Sequence, residues 1–128
     1  MTDTESGSER RPPAGPEGGP AIGYAPTLPH TDGDGLRQVV RLSEEAGLDH
    51  ISVGDHVSFH VGDGVDGLLS AASILAVSDR LAVNTAVYLL PLRHPVLVAR
   101  QLADIAQLAP GRFTFGIGIG GEDPHEVE

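Results

Sequence analysis

The 128-residue chain contains no cysteine. That excludes a disulfide framework, a zinc–thiolate centre and a thiol nucleophile. Lysine is absent too: all eight basic residues are arginine. Schiff-base chemistry on a lysine amine is therefore excluded within this chain. With 18 acidic residues the formal net charge is −10. Nucleic-acid binding needs a clustered basic face, and these arginines are scattered. The acidic balance reads as a solubility device. No apolar run approaches the roughly 18 residues that span a bilayer. Residues 1–20, MTDTESGSERRPPAGPEGGP, lack any apolar cluster. Such a stretch cannot bury enough surface to offset its ordering entropy, so it reads as a disordered tail. It lacks the apolar core of a secretory signal and is too acidic for an organelle transit peptide. These absences point to a soluble cytoplasmic protein whose ordered part begins near residue 21.

What is present is a repeat of short apolar segments. They begin near Ala21, Ile51, Ala82 and Phe113, about 31 residues apart, and a helical pattern lies between each pair. In the first interval Asp34 can N-cap a helix running to Ala46. Leu36, Val39, Val40 and Ala46 share one face, Arg37, Arg41, Glu44 and Glu45 the other, and Gly47 is a natural stop. In the second, Gly67 to Val77 is apolar and Ala-rich and Ser78-Asp79-Arg80 ends it. In the third, Pro95 suits the first helical position, and Arg100 and Asp104 are spaced for an i,i+4 pair. Pro110-Gly111 then closes a turn, and Phe113 to Ile119 reads as a fourth strand. Strand–helix units of this length suit an α/β fold of the TIM (β/α)8 barrel type, with about four units present over residues 21–128. A doubly wound sheet is the alternative. A four-strand parallel sheet has two open edges. The expectation is therefore an N-terminal half barrel, a truncated reading frame, or half of an assembly closed by a second copy or a complementing partner chain.

Parallel α/β folds place their chemistry at the carboxyl ends of strands. The second strand ends in Asp55-His56, and a histidine there can give or take a proton near neutral pH. On spacing alone Asp55 also fits a turn cap and His56 a solvated loop residue. His60, His30 and Asp32 add metal-binding residue types, but no His-x-His or His-x-x-x-His pattern sits on one element, which argues against a metal site. In the third strand Asn84, Thr85 and Ala86 are small or polar, which permits close approach of a flat ligand. Arg93 can bind an anionic group with two parallel donors, or form a surface ion pair beside a helix-entry histidine, His94. Gly116 to Gly121 matches G-x-G-x-x-G. The match lies within a strand, is followed by Glu122-Asp123-Pro124, and has no acidic ribose partner, so the dinucleotide reading fails on context. A glycine-rich strand against which a planar group lies is the better reading. Glu122 is then a candidate carboxylate at the rim, or a solvated acid in an acidic stretch.

Four features together resemble the luciferase-like monooxygenase family of flavin- and deazaflavin-dependent (β/α)8 barrels. They are Gly54-Asp55-His56-Val57, the Thr85-Ala86-Val87 strand end, PLRHPVLVARQLADIAQLAPGRFTFGIGIG from Pro91 to Gly120, and GGEDPHE from Gly120. The resemblance covers about residues 21–128, the first half of the family's barrel. It implies that Asp55-His56 falls where deazaflavin-dependent members keep an active-site Asp-His pair. It implies that Ala86-Val87 is the family's non-proline cis peptide behind the cofactor ring, and that Gly118 and Gly120 are close-approach positions. Glu122 falls one glycine later than the catalytic glutamate of some deazaflavin-dependent members.

The implied function is a flavin- or F420-dependent oxidoreductase or monooxygenase acting on a small molecule. The cofactor carries the redox chemistry and the protein supplies placement and proton transfer. His56 is the expected proton donor or acceptor, with Asp55 its orienter or a rim contact. Coenzyme F420 is favoured over FMN by the Asp-His pair. The competing expectations are a non-catalytic remnant or partner-dependent subunit, and a Rossmann-like nucleotide-binding module.

Overall fold

The computed structural model describes residues 19–26, 32–57 and 65–120. The tail over 1–18 and the residues His30, His60 and Glu122 lie outside the described residues. In chain order the elements are β1 (Gly23–Tyr24), α1 (Gly33–Glu45), β2 (His50–Val53), α2 (Gly67–Val77), β3 (Ala82–Thr85), β4 (Tyr88–Leu89), a single 3-10 turn (Leu90–Leu92), α3 (Pro95–Leu108), β5 (Phe113–Thr114) and β6 (Ile117–Gly118). One sheet has the order β1-β2-β3-β5, and β4 pairs with β6 in a second. Every pairing is parallel. Consecutive strands thus neighbour one another with a helix crossing between them, which is the β/α repeat of the (β/α)8 barrel family.

The alternation along the strands decides which face is buried. Ile51 and Val53 in β2, and Val83 and Thr85 in β3, are buried; the intervening His50, Ser52, Ala82 and Asn84 are half-buried. The register sets Ile51 beside Val83 and Ser52 beside Asn84, and Ser52 Oγ lies 2.9 Å from Asn84 Oδ1 on the face away from the core. Helix α2 is apolar around most of its circumference because it is central, touching β2 and β3 beneath it and α1 and α3 on its flanks. Leu68, Ala71, Ile74 and Leu75 of α2 join Val40, Leu81, Val98 and Ile105 in one core. Each Val, Leu or Ile side chain among them contributes about 1.5–3 kcal/mol on full burial.

The helix boundaries show local chemistry at work. α2 starts and stops as its composition indicates, with the Asp66 carboxylate accepting from Leu69 N at 2.9 Å. Pro95 opens α3, and Arg100 pairs with Asp104 at 3.2 Å on its exposed side. In α1 the cap is Asp32, accepting from Gly35 N, not Asp34. Asp34 sits in the first turn and pairs with Arg37 at 2.6 Å. Ser43, not Ala46, completes the buried face of α1: its hydroxyl donates to Val39 O and so tolerates burial. Gly47 ends α1 at φ 75°.

Two arginines close the layer opposite the strands' carboxyl ends. Arg112 donates to the carbonyls of Ser78, Leu81 and Leu75, and Arg80 to those of Leu48 and Glu44. Both satisfy carbonyls left open near the C-termini of α2 and α1, where a cation also meets the negative end of the helix dipole.

Two apparently continuous strands are in fact broken. The third divides at a cis peptide bond between Ala86 and Val87, separating β3 from β4. The fourth divides at Phe115-Gly116, separating β5 from β6. Both pieces after the break swing together, so β4 and β6 form their own ladder, Tyr88 beside Ile117 and Leu89 beside Gly118.

Candidate functional site

The break is pinned by a set of short hydrogen bonds. Ala86 N donates to Val53 O at 2.8 Å and Tyr88 N to Gly116 O at 2.8 Å. Thr85 Oγ1 donates to Gly116 O at 2.8 Å and accepts from Gly116 N at 2.9 Å. Thr85 is the small polar residue that looked out of place in an apolar strand; its hydroxyl replaces the ladder bonds that the break removes. Gly116 has no side chain because a Cβ there would overlap the Thr85 carbonyl. Between these anchors Val87 stands with 45% of its surface exposed. Gly118 leaves room for it, since a Cβ at that position would overlap the Val87 side chain.

At the end of β2, burial alternates once more: Gly54 and His56 are exposed and Asp55 is buried between them. The Asp55 side chain is 0% exposed. Its Oδ1 accepts from Gly67 N and from Arg93 Nη2, each at 2.9 Å, and its Oδ2 accepts from Leu89 N at 2.9 Å. The Asp55 oxygens are thus committed to partners inside the protein. Gly67 allows this approach: a Cβ there would lie 3.0 Å from both Asp55 Cβ and Gly54 O. His56 N donates to Val65 O at 3.4 Å, tying the segment after β2 to the approach to α2.

These elements enclose an open cleft of about 380 Å³, within the usual size of small-ligand sites. Asp55, His56, Ala86, Val87, Gly118 and Gly120 all line it, joined by Gly54, Leu89 and Ile119. The structure thus brings six of the residues expected at the site into one cleft; Glu122 is outside the described residues. Gly54 and Leu89 escaped sequence reasoning, though Gly54 opens the same Gly-Asp-His motif. The lining suits a flat group. A Cβ at Gly54 would meet nothing within 4 Å, and Gly120, at φ 87°, turns the backbone where a side chain would be strained. Among the described residues no cluster of His, Asp or Glu could hold a metal ion, and Asp32 is used as a helix cap.

Arg93 does not reach for an external anion. It pairs with Asp55 at 2.9 Å and Asp66 at 3.4 Å, and its guanidinium lies 4.9 Å from the centre of the Tyr88 ring. His94, exposed, precedes α3 without a side-chain cap bond. Tyr88 is buried and tilts against Phe115 at 5.3 Å between ring centroids. Burial pushes its hydroxyl above the ordinary value of 10.0, against the opposing pull of Arg93 and with the push of Asp66 and Asp55. A raised folded-state value favours the protonated phenol, so this contribution to stability is complete below about pH 10 and lost as pH rises through the folded value. Alkaline melts are expected to show the wild-type chain losing stability above about pH 10 faster than Tyr88→Phe. Parallel stability curves for the two proteins would show that Tyr88 is not the group responsible.

Comparison with known proteins agrees with this architecture. The family model described as luciferase-like monooxygenase matches residues 14–128. The F420-dependent glucose-6-phosphate dehydrogenase of Beutenbergia cavernae is 39% identical over 83 residues, covering 62% of this chain and 25% of that protein. The alkanal monooxygenase alpha chain of Photorhabdus laumondii is 39% identical over 85 residues, covering 64% and 23%. This chain therefore spans about a quarter of the length of these relatives. Among solved structures, an F420-dependent secondary alcohol dehydrogenase in complex with an F420-acetone adduct superposes with TM-score 0.64 at 25% identity, over 78% of this chain and 32% of that one. The FMN complex of the oxygenating constituent of 3,6-diketocamphane monooxygenase from Pseudomonas putida shares the fold, with TM-score 0.66 at 21% identity over 79% and 30%. A nucleotide-binding module of the Rossmann type is not favoured, since the matches are to luciferase-like enzymes and Gly118 lies within β6. The match over nearly the whole chain and the layout of its strands agree: the chain belongs to the luciferase-like monooxygenase family.

Proposed function

We propose that the cleft at the ends of β2, β3 and β6 seats the ring of coenzyme F420 or FMN as part of a flavin- or deazaflavin-dependent oxidoreductase. The observation that carries this is the convergence of His56, Ala86, Val87, Gly118 and Gly120 on one cleft. Ala86 and Val87 form the bed for the ring. Gly118 and Gly120 let its edge approach the backbone. His56, exposed beside the bed, holds or moves a proton at the reacting edge. Asp55 acts from within, as a positioning group for that wall. The cofactor, when bound, supplies hydride or oxygen chemistry.

F420 is the preferred cofactor. The Gly-Asp-His motif supports it, as do a relative named as an F420-dependent dehydrogenase and a solved structure holding an F420 adduct. The relatives' names leave room for FMN. The substrate is a small molecule. Residues 21–128 act as the first half of a barrel, and turnover belongs to a unit in which the open edges at β1 and β5 are covered by further barrel strands. The proposed setting is cytoplasmic; among the described residues no helix is long and apolar enough to cross a membrane.

The test is a fluorescence titration of the chain with F420 and, separately, FMN. Saturable binding of F420, weakened about tenfold or more in His56→Ala, is the expected result. Oligomerisation with no binding of either cofactor would favour a partner-dependent, non-catalytic subunit. Preferential binding of a nicotinamide dinucleotide would sink the reading.

A further inference from the structure

Arg93 is the one described side chain with a buried polar atom left unmatched: its Nη1 has no acceptor. A buried orphan donor carries a desolvation cost, so the placement of this guanidinium sacrifices local stability. What it gains is a junction. Only 17% of the side chain is exposed, and Nη2 reaches Asp55, which is fully buried and 38 positions away in sequence. Through its two oxygens Asp55 holds the amide of Gly67, at the start of α2, and that of Leu89, two residues beyond the cis peptide. The same guanidinium covers the Tyr88 ring. One cation therefore links the end of β2, the first turn of α2 and β4, which follows Val87 directly.

We propose that Arg93 is a positioning residue for the cleft: by orienting the Asp55 carboxylate it fixes the height and tilt of the Ala86–Val87 bed. The inference rests on the reading of the cleft as a ring site. The physical reason is that an unpaired buried carboxylate would turn to find solvent or another donor, and either movement releases the Leu89 amide. Lysine can restore the charge but not the planar fork that lets one guanidinium serve Asp55, Asp66 and the Tyr88 face together.

Two measurements on the full chain test this. The first needs no cofactor: amide hydrogen exchange in Arg93→Met and Arg93→Lys. Exchange at Leu89 and Gly67 is expected to quicken about tenfold in Arg93→Met, and less in Arg93→Lys, while Val40 in α1 keeps its wild-type rate. Uniform acceleration would mean a merely structural role, and unchanged Leu89 and Gly67 would mean no role; either overturns the proposal. If the methionine variant fails to fold, the same comparison is made on Arg93→Lys. The second is titration with F420 and FMN, read by affinity and by the induced circular dichroism of the bound ring. Affinity about tenfold weaker with an altered dichroic band supports the proposal, and wild-type affinity with an unaltered band overturns it. Absence of binding by the wild-type chain would sink the ring-site reading alone, and the exchange rates would still decide whether Arg93 positions this wall.

Discussion

Replacing Asp55 by alanine is expected to leave a chain that does not hold its fold at room temperature. The carboxylate is fully buried and paired with Arg93, which is itself mostly buried. Removing one partner of such a pair costs about 3–5 kcal/mol, because the remaining charge stays buried without compensation. The amides of Gly67 and Leu89 lose their acceptor at the same time, and each orphaned donor adds about 1–3 kcal/mol. Against the roughly 5–15 kcal/mol of net stability typical of a small domain, that sum is decisive. Asp55→Asn should fall between. It keeps one oxygen, but its amide nitrogen must face a donor already in place. Urea titrations followed by far-ultraviolet circular dichroism provide the check. If Asp55→Ala unfolds within about 0.5 kcal/mol of wild type, the range of an ordinary surface substitution, the carboxylate does not join these elements.

The second large effect is expected at Gly116, and its neighbour Gly118 provides the contrast. A Cβ at Gly116 would overlap the backbone carbonyl of Thr85, which belongs to β3 and cannot move without opening the ladder. It would also disturb the paired bonds between Gly116 and Thr85 Oγ1 and the bond from Tyr88 N. Overpacking costs about 1–3 kcal/mol and each lost bond about 0.5–1.5, so Gly116→Ala should lose roughly 3–6 kcal/mol. At Gly118 the obstacle is the Val87 side chain, which is half exposed and can rotate into the cleft. Gly118→Ala should therefore fold with a loss of about 1 kcal/mol while crowding the proposed ring bed. A urea midpoint for Gly116→Ala equal to that of wild type would show that the two strand breaks are not locked together there.

Several elements were legible because their causes are local. The apolar composition of Gly67–Val77 and its polar stop define α2. Pro95 marks the start of α3, and the Arg100–Asp104 spacing produces the expected pair. Asp32 caps α1 in place of the expected Asp34, because the two offer the same chemistry and only the chain's entry geometry selects between them. Periodicity places Ala46 on the buried face of α1, but Ser43 takes that place by returning its hydroxyl to the helix backbone. The grouping of His56, Ala86, Val87, Gly118 and Gly120 came from resemblance to a family, not from spacing; no periodicity relates residues so far apart.

By itself, then, the sequence determined the β/α repeat, the starts of α2 and α3, the absence of cysteine and lysine chemistry, and the family. These follow from composition and from patterns within a few residues, where side-chain size, charge and backbone preference act directly. Only the tertiary structure decided that the third and fourth strands each break and re-pair as β4 and β6, that Asp55 turns inward while His56 turns out, and that Arg93 finds its anion inside the protein. The reason is the same in each case. The outcome depends on a partner some 30 or more residues away, as with Thr85 and Gly116 or Asp55 and Arg93, and pairing at that distance is set by packing, which no local pattern encodes.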